Sequence, residues 1–279
     1  MLKTISITLI MLLWLVSASG NIWGNVSTPL PGPPEVYGFY TAGCIAGASA
    51  LPLRGEGFQV MRPSRNRYYG HPNLIAFVKK LGRYSAEMGE RLLIGDLSQP
   101  RGGPMPFGHR SHQSGLDADI WFRSVASKQV LPRKDTESLP MISVVTPASG
   151  SLNYARWSPH FRDILKITAE TAEVERIFVN PVIKQALCRQ EQDRTWLHKI
   201  RPWWGHDAHF HVRLACPFGH HQCQPQKPPP PGDGCDSDLD KWVKELQEAA
   251  LYPSSKKKKP PSRAPRVLPN HCTAVLTGM

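Results

Sequence analysis

Two short stretches of this sequence combine histidine with aspartate in a way that suits metal binding. The first contains His112 and Asp119 on either side of Gly115, and the second contains His209 and His211. A glycine turn at Gly115 can fold the His112 imidazole back over the Asp119 carboxylate. Imidazole nitrogen and carboxylate oxygen are both zinc ligands, so these residue types predict a zinc site.

Each stretch also alternates polar and apolar residues with the period of a β-strand. As strands, residues 117–122 and 209–214 would each place three side chains on one face and apolar side chains on the other. Those three are Asp117, Asp119 and Trp121 in the first strand, and His209, His211 and Arg213 in the second. Asp117 has two open interpretations: a hydrogen bond that orients a ligand imidazole, or simple exposure to solvent.

The same residues predict catalysis rather than a structural metal site. Three protein ligands leave the fourth position of a zinc ion open for water. His209 could take a proton from the attacking water or stabilise the developing oxyanion, and His206 could assist. Three of the 11 histidines fall within residues 206–211, which argues against a merely structural histidine cluster. Gly-x-Ser-x-Gly and His-Glu-x-x-His motifs are absent from the sequence.

The surrounding sequence predicts an α+β fold with a central antiparallel β-sheet, flanking helices and long disulfide-tied loops. We expect strands at residues 58–61, 92–94, 117–122, 176–179 and 209–214. We expect helices at residues 73–90, from Pro159 onward, at 181–188 and at 196–200, with N-caps at Asn73, Ser158 and Asn180. Trp203 and Trp204 could stack on sugars or peptides, but the size of tryptophan favours core positions.

The first twenty residues have the composition of a secretory signal peptide. Lys3 precedes an apolar run at residues 5–16, which ends in the small residues 17–20. A membrane anchor is the alternative, but polar residues interrupt the start of the run, and a spanning helix needs about 20 mainly apolar residues. We therefore expect residues 1–20 to be removed and the mature chain to have no membrane span.

Six cysteines follow this segment, and an even number in an exported chain predicts three disulfides. They are Cys44, Cys188, Cys216, Cys223, Cys235 and Cys272. Their pairing stays open at this point, since six cysteines can be joined in many ways.

The net charge of +12 is unevenly distributed along the chain. Half of the excess lies in residues 255–279, which contain no acidic residue and include a lysine run at 256–259. Such a run is typical of a solvated segment. Nucleic acid is a formal partner of any basic protein, but export favours an anionic wall polymer or a membrane surface.

The stretch 111–119, together with His209-Phe210-His211, resembles the paired motifs of the penicillin-insensitive murein endopeptidases. That family lies in the lysostaphin, D-Ala-D-Ala peptidase and sonic hedgehog metallopeptidase group. Five further stretches are similar to it: residues 43–48, 68–72, 177–181, 201–203 and 232–235. The resemblance implies a zinc metallopeptidase domain at residues 21–252 and a basic, proline- and lysine-rich tail at 253–279 that contains Cys272.

The resemblance also implies a role for each site residue. His112, Asp119 and His211 would be the zinc ligands, and His209 would be the catalytic histidine with His206 nearby. His109 matches a further metal-associated position, although three ligands and a water already complete the site. Residues 142–150 lack the Asp and His that the family offers there, so a second metal is not expected.

By the same resemblance, the disulfides would pair Cys44 with Cys272, Cys188 with Cys235, and Cys216 with Cys223. The implied substrate is the D-alanyl-meso-diaminopimelyl cross-link of peptidoglycan, cut in the periplasm. Penicillin would not block this reaction, because β-lactams acylate a serine nucleophile that the mechanism does not need.

Two alternative functions use the same metal site. One is a wall-binding protein in which zinc has only a structural role. The other is a carboxypeptidase that removes terminal D-alanine, which would differ mainly in the shape of its pocket. The sequence leaves the oligomeric state open.

Overall fold

The structure is a computed structural model that describes residues 22–252 and 266–279. The predicted signal peptide at residues 1–20 and the lysine run at 256–259 lie outside these described residues. Within them, no helix has both the length and the apolar composition required to cross a membrane.

The described residues form six α-helices and thirteen β-strands, numbered here in chain order. The helices are α1 Pro72–Glu87, α2 Arg133–Ser138, α3 Pro159–Glu170, α4 Pro181–Gln190, α5 Ser237–Leu251 and α6 His271–Thr277. The strands are β1 Glu35–Phe39, β2 Ala42–Ala46, β3 Ser49–Ala50, β4 Arg54–Gly55, β5 Phe58–Val60, β6 Tyr69–Gly70, β7 Glu90–Ile94, β8 Asp117–Ala126, β9 Val145–Thr146, β10 Ser151–Leu152, β11 Val174–Val179, β12 Ile200–Pro202 and β13 His209–Leu214. Short 3₁₀ turns occur at Ile22–Asn25, Pro63–Arg65 and Thr195–Lys199.

The central sheet has seven strands in the order β12-β11-β13-β8-β7-β5-β4. Its middle is antiparallel, because β11, β13, β8 and β7 alternate in direction. Two pairs nearer the edges, β11 with β12 and β5 with β7, are parallel. The α+β prediction is confirmed, and the antiparallel expectation holds for the centre of the sheet.

One face of this sheet packs against helices and forms the main core. Helix α1 contacts β7 and α3, and α3 contacts β11, so both helices cover the same face. Phe122 on β8 packs against Phe161 on α3 and Phe210 on β13, with ring centroids 5.7 and 5.5 Å apart. Burying each such aromatic ring contributes roughly 1.5–3 kcal/mol. The helix layer therefore leaves the opposite face of β8 and β13 for polar side chains.

The ends of α1 differ from the sequence prediction. His71, not Asn73, is the N-cap, because its Nδ1 accepts a hydrogen bond from the Asn73 backbone N–H at 3.1 Å. Pro72 then takes the first helical position, where its missing N–H costs nothing. The helix ends at Glu87 rather than residue 90, just before Gly89 with its left-handed φ of +81°. The predicted N-caps of α3 and α4, Ser158 and Asn180, are at the expected positions.

The prediction that Trp203 and Trp204 lie in the core was wrong, and one C-terminal helix was not predicted. Trp203 and Trp204 are 49% and 54% exposed, so they do not belong to the core. Helix α5 was not predicted, although Asp236 caps it by accepting from the Leu239 N–H, and Leu239 and Val243 are buried. The run of prolines just before it obscured this short periodic signal.

The structure contains the three disulfides that the resemblance implied. They are Cys44–Cys272, Cys188–Cys235 and Cys216–Cys223, and no cysteine of the described residues is free. The first joins α6 to β2 across 228 positions of sequence, and both of its cysteines are buried. Residues 266–279 are thus fastened to the start of the domain.

Candidate metal centre

The two histidine-containing stretches lie on adjacent central strands. Strands β8 and β13 are antiparallel partners, with His211 opposite Asp119 and His209 opposite Trp121. Side chains of paired residues point to the same face of a sheet. The prediction that Asp119 shares one face of its strand with Asp117, and His209 with His211, is therefore confirmed. This face of the sheet is the one that the helices do not cover.

His112 reaches this face from the loop that precedes β8. Its backbone φ is +66°, a left-handed conformation that is costly for a residue with a side chain. Its N–H donates to Oδ2 of Asp117 at 2.9 Å, which holds the loop in place. Gly115 has φ +71°, and a Cβ there would lie 2.8 Å from Ile45, so a glycine is required for this turn. The loop therefore folds His112 back toward Asp119, as predicted.

Asp119 is the centre of the cluster, with two imidazoles near each of its oxygens. On one side, His211 Nδ1 lies 3.1 Å and His112 Nε2 lies 3.4 Å from Oδ1. On the other side, His209 Nε2 lies 3.5 Å and His109 Nδ1 lies 3.6 Å from Oδ2. Burial alone would raise the pKa of Asp119, but the His209 and His112 imidazoles hold it well below its usual range.

The ligand atoms around Asp119 fit a metal ion. Both His112 Nε2 and Asp119 Oδ1 are buried, and neither makes a hydrogen bond to described protein atoms. Leaving buried polar atoms without partners is costly unless something else binds them. Among the described residues, His109, His112 and Asp119 form a group whose ligand atoms all lie within 4.8 Å of one another, and His211 is not part of that group. Two imidazoles and a carboxylate are ligands that suit zinc.

Asp117 lies directly behind this group and is fully buried, so the alternative of solvent exposure was wrong. Its two oxygens accept from the Arg213 guanidinium at 2.7 and 3.0 Å, and Oδ1 lies 3.1 Å from His211 Nε2. Burial would raise its pKa, but Arg213 and His211 hold it far below the usual range. A permanently charged Asp117 can fix the orientation of the His211 ring.

The two predicted catalytic histidines line the open side of the cluster. His209 is 17% exposed, and burial lowers its pKa while Asp119 opposes that shift. His206 has a left-handed φ of +52°, and its ring centroid lies 5.0 Å from that of His209. Burial, His211 and His209 lower the pKa of His206 to about 4. Both rings thus favour the neutral form, which can accept a proton.

Sequence reasoning missed a second buried carboxylate, Asp96, next to the cluster. It lies 3.1 Å from His109 Nε2 and also pairs with Arg67 at 2.8 Å and Arg65 at 3.2 Å. Burial would raise its pKa, but His109 and the two arginines lower it to about 2. Its position two residues after the end of the buried strand β7 was the available signal.

Comparison with known proteins identifies a family. Residues 36–277 match the family model described as penicillin-insensitive murein endopeptidase. The chain belongs to the penicillin-insensitive murein endopeptidase family. This match spans all six cysteines and every residue of the candidate metal centre.

Individual family members are similar over most of their length. The penicillin-insensitive murein endopeptidase of Klebsiella pneumoniae is 41% identical over 281 residues, which covers 96% of this chain and 97% of that protein. The Yersinia enterocolitica protein of the same name is 42% identical over 257 residues, covering 91% and 90%. The Haemophilus influenzae protein is 45% identical over 234 residues, covering 81% and 80%. Family membership therefore concerns the whole domain and not only the two histidine motifs.

Proposed function

We propose that this protein is a zinc-dependent murein endopeptidase that hydrolyses D-alanyl-meso-diaminopimelyl cross-links of peptidoglycan. The observation that carries the proposal is a pair of buried potential ligand atoms beside His211, His112 Nε2 and Asp119 Oδ1, which make no hydrogen bond to the described residues. Membership of the murein endopeptidase family supports the reaction and the substrate class.

His112, Asp119 and His211 would hold the zinc ion. His109 would be a further metal-associated residue, since it lies near the other oxygen of Asp119. Zinc held in this way would act as a Lewis acid and would activate a water for attack at neutral pH.

Residues of the chain would then transfer the proton of the attacking water. Hydrolysis adds water across the amide: the carbonyl carbon gains the hydroxyl group, and the leaving nitrogen gains a proton. His209 faces the open side of the cluster and would accept the proton of the attacking water or stabilise the oxyanion. His206, beside it, would assist, and Asp117 would keep His211 in its ligand orientation.

This scheme explains insensitivity to penicillin. β-Lactams inactivate enzymes by acylating a serine nucleophile. The proposed centre contains imidazoles and carboxylates in place of such a serine, so it offers the drug no group to acylate.

The proposed location is the periplasm. Residues 1–20 have the composition of a signal peptide, and the three disulfides suit an oxidising compartment. The proposed partners are peptidoglycan peptides and not nucleic acid, because export places the basic chain beside the cell wall.

The test is hydrolysis of purified cross-linked muropeptide dimers. Wild-type protein with zinc should convert dimers to monomers, and a chelator or His211→Ala should abolish the conversion. His221→Ala is the matched control, because His221 is exposed and makes none of the contacts described for the metal centre; it should leave the rate unchanged.

Three results would contradict the proposal. Dimers that persist in the presence of zinc would favour a wall-binding protein. Release of free terminal D-alanine without monomers would favour a carboxypeptidase. Full activity of His211→Ala would exclude the proposed ligand set.

A further inference from the structure

The cleft beside the metal centre contains an arginine whose guanidinium pairs with no carboxylate of the described residues. Arg62 lines this cleft together with Arg65, Asp96, His109, Asp119 and His209. Among the described residues, no carboxylate lies within 4.0 Å of the Arg62 guanidinium, and no side-chain hydrogen bond satisfies it. The guanidinium carbon lies 5.3 Å from the centre of the Trp121 ring.

The position of Arg62 is fixed by its backbone. Its φ and ψ are 52° and 48°, so it holds a left-handed conformation that costs a residue with a side chain about 1–2 kcal/mol relative to the right-handed form. The N–H of Met61 donates to Ile94 O, and that of Arg62 donates to Thr136 O, both at 2.7 Å. The chain therefore holds an arginine where glycine would fit more easily. Strained residues of this kind cluster at ligand-binding sites.

The surrounding charge makes the cleft attractive to an anion. Arg65 and Arg67 both pair with the carboxylate of Asp96, and no carboxylate of the described residues pairs directly with Arg62. Burial and the charge of Arg65 lower the pKa of Arg62, and the charge of Asp96 opposes that shift. A substrate carboxylate would accept two hydrogen bonds from the planar guanidinium and would stabilise its positive charge.

We propose that Arg62 binds the free carboxylate on the carbon that carries the scissile amide nitrogen. This inference rests on the proposed function, because a D-alanyl-meso-diaminopimelyl bond places such a carboxylate next to the bond that is cut. The Trp121 ring contacts the guanidinium of Arg62. Trp121 is also the register partner of His209 on the neighbouring strand. Arg62 thus acts as a specificity-determining residue for the leaving-group side of the cross-link.

The test measures hydrolysis of two muropeptide dimers by the wild type and by Arg62 variants, and the results are combined as a double-mutant cycle. One dimer carries the free carboxylate, and the other carries an amide in its place. Wild-type protein should hydrolyse the free form with a kcat/KM about 10- to 100-fold higher, mainly through a lower KM, as expected for a hydrogen bond to a charged group. Arg62→Gln should lose most of this preference, and Arg62→Lys should keep part of it.

Two further variants distinguish a loss of carboxylate binding from a folding defect. Arg62→Gly suits the left-handed backbone and should fold at least as well as wild type, yet it should show no preference. Arg83→Gln changes an exposed arginine of α1 and should behave as wild type. Equal hydrolysis of both dimers by wild type, or an unchanged preference in Arg62→Gly, would overturn this inference while leaving the proposed function intact. Hydrolysis of neither dimer by wild type would contradict the proposed function itself.

Discussion

Nδ1 of His211 lies 3.1 Å from Oδ1 of Asp119, and the two residues are register partners on adjacent strands. His112 approaches the same oxygen, whereas His109 and His209 approach the other. One carboxylate therefore has a buried side, with His112 and His211, and a more open side, with His109 and His209. This asymmetry gives the histidines of the cluster different expected roles.

The first prediction concerns zinc affinity. His112→Ala should weaken zinc binding far more than His109→Ala, because His112 is fully buried while His109 is 22% exposed and already bonded to Asp96. We expect a loss of about 10- to 100-fold for His109→Ala, the range for residues that support a ligand. Competition with a chromogenic zinc chelator measures both variants. Equal losses would mean that His109 is a full ligand.

The second prediction concerns the buried pair of Asp117 and Arg213. Asp117→Asn should destabilise the fold by about 3–5 kcal/mol, because it leaves the Arg213 charge buried without its partner. Adding Arg213→Met should recover part of that loss, a coupling that urea denaturation can measure. Asp238→Asn, at an exposed position of α5, is the control and should change stability by less than about 0.5 kcal/mol. Additive losses would show that the two side chains do not interact.

The third prediction concerns the Cys44–Cys272 disulfide. Replacing both cysteines with alanine should cost about 2–5 kcal/mol and release α6, because the bridge closes a loop of 228 positions. The same replacement at Cys216 and Cys223, only 7 positions apart, should cost less. Thermal unfolding gives the stabilities, and hydrogen exchange of the α6 amides reports its release. Unchanged protection of α6 would show that packing alone holds it.

The fourth prediction concerns pH and the buried Lys184 of α4. Its Nζ donates to Leu197 O at 2.7 Å and also to Asp233 O, and burial, followed by the charge of Arg201, lowers its pKa from 10.5 to about 7. Between these values the unfolded chain binds more protons than the folded one. Stability relative to Lys184→Met should therefore increase as the pH rises from about 7 to about 10.

Urea denaturation of both proteins across this pH range measures the difference. The change should be on the order of a few kcal/mol. A stability difference that stays constant with pH would show that Lys184 keeps an ordinary pKa in the folded protein.

Much of the metal centre could be predicted from sequence because local rules determine it. The alternation in residues 117–122 and 209–214 places Asp119 and His211 on one face, and Gly115 permits the turn that returns His112 to that face. The disulfide pairing followed from the family resemblance alone. These features depend on residue type and spacing, which the sequence displays directly.

Other features depend on contacts between distant segments and could not be predicted. Asp96 is 13 positions before His109, and only the folded sheet brings them together. Arg62 follows strand β5, whereas Trp121 lies on β8, so the position of Arg62 in the cleft depends on tertiary packing. The exposure of Trp203 and Trp204 likewise depends on which surface remains uncovered, and residue size alone misleads on that question.

The most direct test of the account is anomalous diffraction at the zinc edge from a crystal of the zinc-loaded protein. We predict a single strong peak within about 2.0–2.2 Å of His112, Asp119 and His211, with a water in the fourth position. A peak bonded to four side chains, with His109 as the fourth, or a peak away from these residues, would contradict the proposed catalytic centre.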